Sequence, residues 1–75
     1  MSNSHIPLEE MLEDLRITNE EIAQYAEEND VLKKNYERNK VQIYMNEGRI
    51  GQRRTFVAQL EKIIKETYPN HNNNE

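Results

Sequence analysis

The chain has no cysteine and no tryptophan, two glycines, two prolines, and no apolar run longer than three residues. Without thiols, disulfides and thiolate zinc sites are excluded. The two histidines, His5 and His71, sit at opposite ends of the sequence with no i, i+4 partner, so no metal site and no cofactor is expected. Apolar runs such as Ile43-Tyr44-Met45 fall far short of the about 20 residues a membrane helix requires. Residues 1–7 lack the basic stretch and apolar block of a secretory signal. These absences point to a soluble protein in an intracellular, cytoplasmic setting. At 75 residues the chain suits one small acidic domain, whose own core would supply only about 3–5 kcal/mol.

What is present is periodicity. Stepping by seven from Leu8 gives Leu8, Leu15, Ile22, Asn29, Tyr36, Ile43, Ile50, Val57 and Ile64, a nearly unbroken apolar column at the a position of a heptad. The d column, Met11, Thr18, Tyr25, Leu32, Asn39, Asn46, Arg53, Leu60 and Thr67, is apolar at its ends and polar in its middle. Helices in proteins are stabilised mainly by packing such a face against another element. The candidate interaction stripe is therefore Leu8, Met11, Leu15, Ile22, Tyr25, Leu32, Tyr36, Ile43, Ile50, Val57, Leu60 and Ile64.

The expected fold is all-α: a long amphipathic helix over about 7–46, a turn over about 47–53 and a shorter helix over about 54–68. The lead-in at 1–6 and the Asn-rich tail at 69–75 flank this single helical domain. Pro7 suits a first helical turn, with Glu9 and Glu10 where a helix N-terminus favours negative charge. Gly48 and Gly51 supply the turn signal, since each costs about 1 kcal/mol relative to Ala inside a helix. The alternation Val41-Gln42-Ile43-Tyr44-Met45 also fits a strand entering a β-hairpin. The two helices are expected to pack as a helical hairpin or coiled-coil assembly. A helix of about 40 residues beside one of about 14 would leave much of the stripe uncovered, which predicts oligomerisation.

Charge is segregated. Residues 1–31 hold nine acids and one base, whereas residues 32–65 hold nine bases and three acids. Antiparallel packing, within one chain or between copies, sets opposite charges side by side, so it is favoured over parallel association. Asn29, a single polar residue in the a column, is the opposing signal, because such an Asn often specifies a parallel pair.

No nucleophile with a base, no paired carboxylates in a concave site and no phosphate-binding glycine loop can be recognised, so no catalytic residue is expected. The function expected is non-enzymatic protein interaction, as an adaptor, assembly subunit, small chaperone or inhibitor, with another protein or a second copy as partner. The alternative is a small regulatory nucleic-acid-binding protein using Lys33, Lys34, Arg38, Lys40, Arg49, Arg53 and Arg54. Residues 18–25, Thr-Asn-Glu-Glu-Ile-Ala-Gln-Tyr, resemble the opening of a helix-turn-helix, but the glycine-containing turn does not follow. Residues 53–68 also fit a short membrane-surface helix with Phe56, Leu60, Ile63 and Ile64 on one face.

Overall fold

The computed structural model describes residues 7–69, so the expected lead-in at 1–6 and the tail beyond residue 69 lie outside the described residues. Helix α1 spans Leu8–Leu32, a 3-10 turn spans Lys33–Asn35, and helix α2 spans Tyr36–Thr67. The described residues contain no strand, and Val41–Met45 lies within α2. The Pro7 carbonyl accepts the first helical hydrogen bonds, from the amides of Glu10 (3.1 Å) and Met11 (3.2 Å).

Sixty helical residues in one straight rod would measure about 90 Å, but the longest dimension of the molecule is 54 Å. The chain reverses instead. Backbone angles are helical at Leu32, Lys33 and Tyr36, while Asn35 leaves the helical region at φ −133°, ψ 71°. Asn39 Nδ2 then donates to the Leu32 carbonyl at 3.0 Å, giving a partner to one of the carbonyls that a helix end leaves open. α2 runs back along α1. Bonded pairs across the interface are Glu21 with Arg53, Glu28 with Asn46 and Asn29 with Asn46, each pair of numbers adding to 74 or 75, as an antiparallel register demands.

The expected turn at 47–53 is not there, and neither is the division into helices over 7–46 and 54–68. Gly48 and Gly51 are helical, neither has a positive φ, and an added Cβ at either would meet nothing within 4 Å. Their propensity cost is real but small against the packing of the whole amphipathic face, which overrides it. Reversal at 33–35 divides the chain into helices of 25 and 32 residues, so the stripe is closed within one chain. The length mismatch that predicted oligomerisation disappears.

Every buried residue, Met11, Thr18, Asn29, Ile43, Asn46, Ile50, Leu60 and Ile64, falls on one of the two heptad columns. The apolar core lies where the two ends of the helix pair meet: Met11, Leu60 and Ile64, flanked by Leu8, Leu12, Leu15 and Tyr68. Nearer the turn the seam is polar. Asn46 is fully buried; its Nδ2 donates to Asn29 Oδ1 (2.9 Å) and Glu28 Oε1 (3.2 Å), and its Oδ1 accepts from Gln42 (3.2 Å) and Arg49 (3.0 Å). Asn29 Nδ2 donates to the Ile43 carbonyl at 3.2 Å. Among the described residues no buried side-chain polar atom lacks a partner. Asn29, a candidate device for a parallel pair, here joins an antiparallel one.

Two predictions follow from this packing. Gly48→Ala and Gly51→Ala should each raise stability by about 1 kcal/mol in denaturant unfolding, because the added methyl enters open space on a helix; a loss would place these residues in a turn. Asn29→Leu or Asn46→Leu alone should cost about 1–3 kcal/mol by stranding the other amide, while the double variant should recover most of that loss. A double variant as unstable as the sum of the singles would show that the two amides do not act as a pair.

Candidate interaction surface

The twelve residues of the expected stripe are brought together, but against one another. Met11, Ile43, Ile50, Leu60 and Ile64 are buried, Leu8, Leu15, Ile22, Tyr25, Leu32 and Val57 are half-buried, and Tyr36, just past the turn, is exposed. Eleven of the twelve therefore line the seam and offer little to an outside partner.

The seven basic residues do not share one face. Arg53 Nε pairs with Glu21 at 2.9 Å, and Arg53 and Arg49 place their guanidinium carbons 5.0 and 5.6 Å from the Tyr25 ring centre, within cation–π range. Arg49 also donates to Asn46, and Lys40 pairs with Glu37 at 3.5 Å. Lys33 and Arg54 line a shallow open groove with Ala26, Asn29, Asp30, Glu47, Ile50 and Gly51, on the opposite side of the pair from Glu21 and Arg53. Lys34 and Arg38 are exposed. The residues that resemble the opening of a helix-turn-helix, 18–25, lie inside the continuous α1.

Among the described residues no cluster of His, Cys, Asp or Glu can hold a metal ion. No helix there is long and apolar enough to cross a membrane. The expected membrane-facing set over 53–68 is split by the packing: Leu60 and Ile64 turn into the seam, whereas Phe56 and Ile63 face outward. Comparison with family models, with curated proteins and with solved structures found no match for this chain.

The surface the stripe argument missed is apolar and exposed. Ile17 (40% exposed), Val31 (64%), Met45 (45%), Phe56 (42%) and Ile63 (46%) occupy c and g heptad positions, off the two seam columns. They share one side of the pair. Ile17 lies four residues before Glu21, Val31 three after Glu28, Met45 three after Gln42, and Phe56 three after Arg53, and residues at those spacings share a helix face. Their sequence signal was available, since Ile17 and Val31 are two heptads apart and Phe56 and Ile63 one. Val41 (70%) and Tyr44 (77%) add apolar surface on the outside of α2 near the turn.

The acidic outer face of α1 is laced by Arg16, which bonds Glu13 through both nitrogens of its fork and reaches Glu20 at 2.7 Å. The hydrogen bond from Arg16 holds the Glu13 carboxyl below the usual carboxylate range, and Glu13 in turn raises Arg16. A depressed carboxylate contributes stability above its unfolded value that is lost as pH falls through the folded one; both groups are fully exposed, so the effect is screened. Arg16→Ala should raise the Glu13 titration midpoint, followed by side-chain NMR, toward the ordinary carboxylate value. An unmoved midpoint would mean that the pair does not persist in solution.

Proposed function

We propose that the protein is a non-enzymatic interaction module, an adaptor, assembly subunit, small chaperone or inhibitor, built on a two-helix antiparallel coiled coil in an intracellular setting. One observation carries this reading. Among the described residues eight large apolar side chains are exposed, five of them on one side of the helix pair, against five apolar residues that are buried. Exposed apolar residues are ordinary when scattered singly, but a set aligned on one side of a helix pair is the usual mark of a docking face. Burying an apolar side chain is worth about 1.5–3 kcal/mol, so a partner covering this surface would contribute on the scale of the fold's own small core. The reading moves the interaction from the seam columns to the residues between them.

A nucleic-acid role has less support, because Arg49 and Arg53 are engaged with Tyr25 and Glu21 of α1, and Lys33 and Arg54 share their groove with Asp30 and Glu47.

Affinity capture from the source cell with wild-type chain and with a Val41→Glu/Phe56→Glu variant tests the proposal. Both positions are exposed, so the variant should keep its helix content while losing specific partners by roughly tenfold or more. Identical recovery from both chains would refute the reading.

A further inference from the structure

We infer that a second copy of this chain docks on the Glu21–Arg53 side of the helix pair, about a two-fold axis parallel to the helices, with the acidic α1 of each copy lying on the basic α2 of the other. This rests on the reading of the protein as an interaction module and names one partner for it.

Charge selects both the occupant and the axis. α1 holds nine acids and one base, and α2 seven bases and four acids. A face built from one acidic and one basic helix is complementary to itself when α1 meets α2 of the other copy, and self-repelling when α1 meets α1. Only a two-fold axis parallel to the helices gives the first pairing on this side; an axis across the helices would lay acidic α1 against acidic α1. In the selected arrangement every helix is antiparallel to both of its neighbours, the usual up-down pattern of a four-helix bundle.

The apolar residues fit the same axis. The antiparallel register sets residue n of α1 level with about residue 75−n of α2. Ile17 is therefore level with Phe56, and Val31 with Met45, forming two exposed apolar layers on this side. A two-fold axis along the helices leaves height unchanged, so each layer meets its own copy. Between the layers, Glu28 of one chain lies within one helical turn in height of Arg49 of the other, placing opposite charges in the polar belt. The other side of the helix pair offers no such set: its groove carries Asp30, Glu47, Lys33 and Arg54 around Ala26.

Light scattering coupled to size-exclusion chromatography, with the full chain at about 100 μM, should give about twice the 9.0 kDa monomer mass. Ile17→Glu and Phe56→Glu should each weaken the dimer by roughly tenfold or more, with circular dichroism unchanged because both residues are exposed. Val41→Glu, on the outside of α2, should leave the dimer intact. Salt should weaken it as NaCl approaches 1 M, where the screening length is about 3 Å. A monomer under all conditions overturns the inference; so does a dimer lost through Val41→Glu but not Phe56→Glu, or one strengthened by salt, the sign of like helices in contact. A monomer whose capture of another protein still depends on Val41 and Phe56 overturns the dimer alone. A dimer whose wild-type and variant chains recover the same proteins from cells overturns the wider adaptor role alone.

Discussion

Asn46 is sealed from solvent between the helices, and the hydrogen bond it makes to Asn29 fixes which residue of α2 faces which residue of α1. An apolar heptad seam specifies its register weakly, because Leu, Ile and Val accept one another after a slip of one heptad. A buried amide does not. A slip would bring Asn46 opposite Ile22 or Tyr36 and strand polar groups that cost about 1–3 kcal/mol each when unpaired and buried. Glu28, Gln42 and Arg49 complete the partners of Asn46, so the lock is satisfied at this register and not at its neighbours. The ion pair between Glu21 and Arg53, the approach of Arg49 and Arg53 to Tyr25, and the contact of Met11 with Leu60 and Ile64 all inherit their alignment from it.

The two ends of the rod are held by different physics. Where the ends of the two helices meet, an apolar cluster excludes water; toward the turn, amides and guanidinium groups take over, closed by Asn39 on the last carbonyl of α1. Apolar burial is non-directional and supplies most of the free energy, while the amide network adds little net energy and much selectivity. With five buried apolar residues, the pair sits near the low end of what keeps a chain of this length folded. Association on an outer face would therefore shift the folding equilibrium appreciably through mass action.

The inner face was legible in the sequence because burial in a two-helix seam repeats every seven residues whatever the position of the turn. The same fact hid the turn. Leu32, Tyr36, Asn39 and Ile43 keep the d, a, d, a order across Lys33–Asn35, so the reversal leaves no phase break to read. Gly48 and Gly51 drew attention as the local breakers, yet a per-residue penalty cannot outweigh the burial gained by two helices of matched length. The charge segregation was legible, and acidic α1 lies antiparallel along basic α2 within the one chain. What the stripe argument could not separate was apolar residues that stabilise the fold from those that face out: Phe56 and Leu60, four residues apart, fall on opposite sides of that division.

That division makes α2 the unusual element. Its inner face carries Ile43, Ile50, Leu60 and Ile64, and its outer and lateral positions carry Val41, Met45, Phe56 and Ile63. A surface helix of a self-contained pair needs one apolar stripe and solvates the rest; a second exposed set on one side, here Met45, Phe56 and Ile63, is the usual mark of a docking face. α1 differs, since it holds nine acids and one base and carries only Ile17 and Val31 as exposed large hydrophobics. A partner for α2 must therefore bring apolar side chains set among negative charge. The Glu21 side of α1, with Ile17 and Val31 set near Glu21 and Glu28, has that chemistry, and the inferred docking of a second copy rests on it.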